Sequence, residues 1–202
     1  MKTSLLLKII GRLLGNQHSG SLSSPSTVLG VRAAEVPDSG FAWNNDEYAE
    51  YMELGKEYLQ QEDYIEAIFS FTDAMDVSFD DFEEEEAIFY LAYVESLSGD
   101  FSKALSFARD LCPDHNAPYY EQAVLLKANL LIENFEHDKA ISWIQSQSIS
   151  ASGLTGSLLL LEGLANFQLG KIMAARELFQ KVREEYPGSE SAEIAYEYLE
   201  SM

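Results

Sequence analysis

Small and apolar residues follow a regular spacing between residues 54 and 74 and predict a hairpin of two helices. A small residue, an aromatic residue three positions later, a polar turn and a second apolar run follow one another there. The positions that carry the pattern are Leu54, Gly55, Tyr58, Asp63, Tyr64, Ala67, Phe71 and Ala74. Small side chains at matching points of the two runs allow two helix backbones to approach closely.

The same pattern recurs three more times along the chain in looser form. Subtraction of residue numbers places the alanine anchors of the second runs 37, 36 and 35 residues apart, at Ala67, Ala104, Ala140 and Ala175. A small residue stands twelve positions before each anchor: Gly55, Ala92, Ala128 and Gly163. An apolar residue stands four positions after each anchor: Phe71, Ala108, Ile144 and Phe179. The third copy departs furthest, with Lys127 where the first has Leu54.

The periodicity predicts four helix pairs followed by a ninth helix. The expected ranges are 46–60, 64–77, 80–97, 101–111, 117–133, 135–147, 153–169, 172–186 and 189–200. The ninth helix should begin at Ser189, which caps it after Pro187 and Gly188. We expect it to close the end of the array, with four residues facing inward: Ala192, Ala195, Tyr196 and Leu199.

This pattern resembles the tetratricopeptide repeat, whose small, aromatic, alanine and proline positions fit residues 48 to about 188. The resemblance implies an all-α, right-handed superhelical solenoid of about four hairpins plus a C-terminal capping helix. We therefore divide the chain into an irregular N-terminal arm, residues 1–40, and a repeat domain, residues 41–202. Repeats of this kind bind proteins, so the resemblance implies an adaptor rather than an enzyme.

The resemblance also implies a concave groove lined by the first helix of each hairpin. The lining residues that it indicates are Met52, Lys56, Phe89, Tyr93, Leu125, Asn129, Leu160, Leu164 and Phe167. Members of the family that bind chaperone tails use Lys and Asn where Met52 and Tyr93 stand here, which disfavours that ligand. A peptide or partner helix with apolar anchors and basic flanks fits better. Alternatively, the leucines and Phe167 pack against the next helix or against a second copy.

Charge is very unevenly distributed along the chain. The arm holds four basic and two acidic residues, a net charge of +2. Since the whole chain carries −21, the remainder carries −23. Residues 41–100 contain one basic residue, Lys56, beside eighteen acidic ones. Such a field repels nucleic acids and anionic membrane surfaces, so we expect neither as a partner of the folded part. Basic partners remain open, as does a role of the charge in solubility alone.

The candidate chemistry is sparse, and we expect no catalytic, cofactor or metal site. The acidic run 80–86 is read as helix capping, since an EF-hand loop would need a glycine at its sixth position. Cys112 is the single cysteine, and His18, His115 and His137 lack the i, i+4 spacing of paired metal ligands.

The first fourteen residues form a separate apolar segment with cations. Its leucines and isoleucines are interrupted by Lys8 and Arg12, which share one helical face. The charges and the short run argue against a signal peptide and against a membrane span, and favour an amphipathic helix. That helix would lie on a membrane or fold back onto the acidic repeats.

Two further resemblances indicate the bacterial cell envelope or periplasm, with the cytoplasm as the alternative. Residues 24–35 resemble the closing strand motif of FecR-type domains, with Ser24, Ala33 and Ala34 in place of Thr, Gly and Thr. The chain would then be the tail of a longer ancestor or of a mis-started reading frame. Residues 175–195 resemble Tol-Pal-associated and outer-membrane-assembly repeat proteins. The sequence thus predicts an envelope adaptor, or alternatively a self-associating module whose groove is filled by its own copies or its own arm.

Overall fold

The computed structural model describes residues 45–109, 111, 117, 119–147 and 154–202. These residues form nine helices and no strand. The helices are α1 (Asn45–Gln60), α2 (Tyr64–Val77), α3 (Asp81–Ser98), α4 (Phe101–Ala108), α5 (Tyr120–Glu133), α6 (His137–Ser146), α7 (Thr155–Gln168), α8 (Ile172–Glu185) and α9 (Glu190–Ser201). Every boundary lies within three residues of the predicted one, and the all-α solenoid is confirmed. The arm, the segment 24–35, Cys112, His18 and His115 lie outside the described residues.

Four antiparallel hairpins, α1–α2, α3–α4, α5–α6 and α7–α8, stack in chain order. Each hairpin turn contains one residue with a left-handed backbone, and these residues are Glu62, Gly99, Phe135 and Gly170. Subtraction gives separations of 37, 36 and 35, the same as for the alanine anchors. The amide after each of them donates to a carbonyl five residues earlier, as in Asp63 to Tyr58 at 2.9 Å and Lys171 to Asn166 at 2.9 Å. The repeat is therefore present in the turns as well as in the helix contacts.

Side-chain caps fix several helix starts. The carboxylate of Asp80 accepts hydrogen bonds from the amides of Phe82 and Glu83 at 3.1 and 2.9 Å. Asp63 and Asp100 accept from the third amide that follows them. Ser189 caps α9 in the predicted way, with its hydroxyl oxygen accepting from the Ala192 amide at 3.1 Å. The capping interpretation of the acidic run is thus confirmed at Asp80.

The core divides at the last hairpin. Most buried side chains form one cluster from α1 to α7, and a second cluster joins α7 and α8 to α9. The second cluster consists of Leu160, Ala175, Phe179, Val182, Ala192, Ile194 and Ala195. Helix α9 therefore covers the apolar side of the fourth hairpin, as predicted.

One inward position of α9 was predicted wrongly. Tyr196 is 48% exposed, and the guanidinium of Arg183 lies 5.0 Å from its ring centroid. Tyr198 faces the core instead and stacks on Phe179 with 5.3 Å between centroids. The buried stripe of α9 includes Ser191 and Ile194, which turns the inward face away from position 196.

Candidate protein-binding groove

The nine predicted groove residues all lie on the first helices of the hairpins. These helices, α1, α3, α5 and α7, contact one another in chain order. Equivalent positions such as Met52, Phe89, Leu125 and Leu160 therefore fall on neighbouring helices. The fold brings the predicted residues into one row, and whether that row binds a partner stays a prediction.

Six of the nine residues are buried: Met52, Phe89, Tyr93, Leu125, Asn129 and Leu160. The other three, Lys56, Leu164 and Phe167, are partly exposed. The sequence could not show this difference, because burial depends on what lies above the groove floor. The centre of the predicted groove is thus closed, and its accessible parts lie toward the two ends.

At the N-terminal end, a polar network joins α1 to α3. The hydroxyl of Tyr48 lies 3.0 Å from the Glu83 carbonyl oxygen and 3.2 Å from Oε2 of Glu86, and its one proton can be donated to either acceptor. The ammonium of Lys56 lies 3.4 Å from Oε1 of Glu86 and 5.0 Å from the Tyr90 ring centroid. Burial, and next the negative charge of Glu86, raise the pKa of both Tyr48 and Tyr90 well above the usual range. The predicted groove lysine is therefore already paired with a carboxylate.

The predicted aromatic anchors sit inside an aromatic cluster. Phe89 stacks on Tyr119 with 5.2 Å between centroids and on Tyr93 with 6.4 Å. Tyr90 meets Phe89 edge-on at 5.1 Å. Burial raises the pKa of Tyr93 to about 12, with a smaller contribution from Tyr64. Tyr119, which precedes α5, was missed because the sequence gives no sign that this segment returns to α3.

The centre of the row on α5 holds an unusual polar group. Asn129 is 1% exposed, and neither its amide oxygen nor its amide nitrogen has a hydrogen-bond partner. A buried amide without partners costs roughly 1–3 kcal/mol. One turn further along, Glu133 is partly buried, and burial raises the pKa of its carboxyl group. This pair of polar side chains is the feature of the row that packing alone does not explain.

At the C-terminal end, the row packs against the capping helix. Leu160 belongs to the second core cluster, and Leu164 and Phe167 lie against it. The ring of Phe167 meets Tyr198 of α9 edge-on at 5.5 Å. These contacts are those of the alternative interpretation, in which the residues pack against the next helix.

A separate cleft, with a volume of about 500 Å³, lies beside α4, α5 and α6. Lys127 lines it, donating to the carbonyl oxygens of Arg109 and Leu111 at 2.7 and 2.8 Å. The same ammonium lies 4.2 Å from the Trp143 ring centroid. Arg109 forms an ion pair with Glu136 at 3.1 Å. The sequence signal for this site is the departure from the repeat pattern at Lys127. The structure shows that Lys127 links α5 to the residues at the end of α4 and to Trp143 of α6.

The described residues contain no group of three His, Cys, Asp or Glu side chains placed to hold a metal ion. His137, the one described histidine, begins α6 with its Nδ1 buried and without a hydrogen-bond partner. No helix within the described ranges has the length and apolar character needed to cross a bilayer.

Comparisons with known proteins agree with this architecture. The family model described as tetratricopeptide repeat matches residues 157–189. The chain is similar to the solved structure of a MamA RS-1 ArsTM double mutant, at 17% identity and a TM-score of 0.61, covering 72% of this chain and 78% of that one. It is also similar to a tetratricopeptide repeat protein from Parabacteroides merdae, at 20% identity and a TM-score of 0.61, covering 77% of this chain and 60% of that one. No curated protein matches the sequence. The predicted tetratricopeptide repeat fold is thus confirmed.

Proposed function

We propose that this tetratricopeptide repeat protein is a non-catalytic adaptor that holds a peptide or a partner helix on the concave face of its first helices. The observation that carries the proposal is the buried, unpartnered amide of Asn129 at the centre of that face. An amide can donate two hydrogen bonds and accept two, so once the groove opens it suits the polar backbone or side chains of a bound chain. Leu125 beside it supplies an apolar contact.

Charge favours a basic or amphipathic partner. Glu86 and Glu133 lie on the same row, and the helices around them carry a large excess of carboxylates. A cationic segment would approach this field favourably, and nucleic acid would be repelled. The resemblances of residues 24–35 and 175–195 to envelope proteins support a bacterial cell envelope or periplasm as the place of action, with the cytoplasm as the alternative.

A second candidate function is self-association. Six of the nine predicted groove residues are already buried within a single molecule, which favours filling of the row from within the chain. In that case the face is filled by further copies or by the chain's own arm, and no external ligand is needed.

Site-specific photo-cross-linking distinguishes these functions. A photoreactive residue replaces Glu133 on the groove row, and in a control variant it replaces Gln180, which is exposed on α8. In the cells that make the protein, an adaptor gives adducts with other proteins at position 133 and not at position 180. Adducts of twice the chain mass indicate self-association. Equal adduct patterns at both positions contradict a binding role of the groove.

A further inference from the structure

The central inward positions of α3 and α5 are closed to solvent. Tyr93, Ser96, Leu125 and Asn129 are each at most 5% exposed. The main contacts of α5 among the described helices are with α3, α4, α6 and α7, its neighbours in the array. An open solenoid leaves its concave positions accessible, so these residues require a cover.

The chemistry of the site indicates what kind of cover fits. Asn129 is buried with both amide atoms unpartnered, so a cover that packs on Asn129 and Leu125 through apolar side chains fits this observation. The edges of this face carry Glu133 and Glu86. Because Glu86 already contacts the ammonium of Lys56, cations of the cover would be favoured chiefly at Glu133.

One segment of the chain outside the described residues combines both properties. Residues 1–14 contain seven leucines and isoleucines, three cations and no acidic residue. On a helix, Leu6, Ile10 and Leu13 share one side, while Lys8 and Arg12 lie on the opposite side. Residues 15–44 hold one cation, Arg32, with two acids, and the segments 112–116 and 148–153 hold no Lys or Arg.

We propose that residues Met1–Leu14 form an amphipathic helix that occupies the concave face of the same molecule. Its apolar side covers Leu125 and Asn129, and its cations face the acidic rim at Glu133 and Glu86. This inference rests on the proposed function and deepens it, because an external partner must then displace the arm.

The tether is long enough for this arrangement. Thirty residues, 15–44, separate Leu14 from Asn45, and an extended chain of that length spans up to about 100 Å. A helix of residues 1–14 is about 21 Å long. The maximum span of the connecting segment is therefore several times the length of the helix that it carries. Flexible tethering gives an effective concentration in the range of about 1 mM, so even weak docking in cis is populated.

The test is zero-length carbodiimide cross-linking of the full-length chain, which joins amines to carboxylates in direct contact. An equimolar mixture of 14N- and 15N-labelled protein is treated and analysed by mass spectrometry. We expect links from Lys2 or Lys8 to Glu133 or Glu86, with both peptides always carrying the same isotope. The double variant Leu6→Asp, Ile10→Asp should reduce these links at least tenfold, whereas Leu29→Asp, placed outside the segment, should not.

Other outcomes overturn the proposal in different ways. Links that mix isotopes assign the cover to a second copy. Links that persist in the Leu6, Ile10 double variant reflect nonspecific charge attraction. If no link reaches Glu133 or Glu86 while the photo-cross-linker at position 133 still captures other proteins, the arm does not dock and the adaptor function stands.

Discussion

Phe71 fills the space that a side chain at Gly55 would need: a Cβ atom there would lie 2.5 Å from Cε1 of Phe71. The fourth hairpin repeats this relationship, with 2.5 Å between a Cβ at Gly163 and Cε1 of Phe179. Real Cβ atoms do not approach a ring this closely, so both glycines are required by the phenylalanine opposite.

The two middle hairpins carry other residues at the two equivalent positions. By the repeat spacing, Ala92 and Ala108 correspond to Gly55 and Phe71 in the second hairpin, and Ala128 and Ile144 correspond to them in the third. All four of these residues are buried. The size of the small residue and the size of its partner therefore vary together from hairpin to hairpin.

We predict that Gly163→Ala lowers the free energy of unfolding by about 1–3 kcal/mol, because the added methyl group overpacks the ring of Phe179. Gly163→Leu and Gly55→Leu should unfold their hairpins. Phe179→Ile alone should cost about 1–2 kcal/mol through the cavity that it leaves. The double variant Gly163→Ala, Phe179→Ile recreates the pair found in the third hairpin and should cost at least about 1 kcal/mol less than the sum. Urea unfolding followed by circular dichroism measures all five variants. Strictly additive costs of Gly163→Ala and Phe179→Ile would show that the two positions are not coupled.

A second prediction concerns the left-handed turn residues. Phe135 has a φ of 61° and is 84% exposed. Its ring meets the imidazole of His137 edge-on with 6.1 Å between centroids, a contact that offsets little of the unfavourable backbone energy. Phe135→Gly should stabilise the protein by about 1 kcal/mol, since a glycine adopts this φ freely. Glu62→Gly, at a φ of 60°, should act in the same direction.

The matched control for the turns is Gly170→Ala. A Cβ at Gly170 would meet no atom within 4 Å, so the substitution costs only backbone conformational energy. It should lower the free energy of unfolding by about 1 kcal/mol, opposite in sign to the effect of Phe135→Gly. Thermal unfolding of the three variants measures these changes in stability. A destabilised Phe135→Gly protein would show that the exposed ring makes contacts worth more than the strain.

The third prediction concerns Lys127. Lys127→Met keeps much of the side-chain volume but removes two hydrogen bonds and the contact of the ammonium with Trp143, and should cost about 1–2 kcal/mol. Lys181→Met, on the exposed face of α8, removes the same charge and should change stability by less than about 0.5 kcal/mol. Urea unfolding of both variants gives the comparison. Equal effects would mean that net charge, and not the tie to α4, is what matters.

The fourth prediction concerns alkaline pH. An unfolded tyrosine has a pKa of about 10, and burial raises that of Tyr93 to about 12 in the folded protein. Folding thus favours the protonated form of Tyr93. The resulting contribution to the free energy of unfolding is fully present below pH 10 and is lost as the pH rises through 12. We expect the melting temperature to fall from pH 10 upward. Tyr93→Phe should make that fall shallower, and an unchanged slope would contradict the assignment.

The order and register of the four hairpins could be predicted from sequence, because close contacts between helices require small residues at fixed spacing. Ala67, Ala104, Ala140 and Ala175 are all fully buried, so the register of the four hairpins was correct. The end helix was also predictable from the cap at Ser189. These features are local, or repeat at a fixed interval, and each copy supports the others.

The remaining features depend on contacts between distant segments. Nothing near Tyr119 in sequence indicates that its ring stacks on Phe89. The sequence shows Lys127 only as a departure from the repeat pattern, because its carbonyl partners lie in the segment after α4. The turn at Phe135 lacks the glycine that would have revealed its backbone. Predicted groove positions could be assigned to helices, but their burial could not, because it depends on what covers them.

The matched sizes at the helix contacts also limit how this chain can evolve. If α5, with Ala128, were paired with α8, it would clash with Phe179, and α1 paired with α6 would leave a void between Gly55 and Ile144. Recombination that exchanges single helices would therefore yield chains that fold poorly. Exchange of whole hairpins keeps each pair intact, so the hairpin is the smallest part of this array that can be duplicated, lost or transplanted.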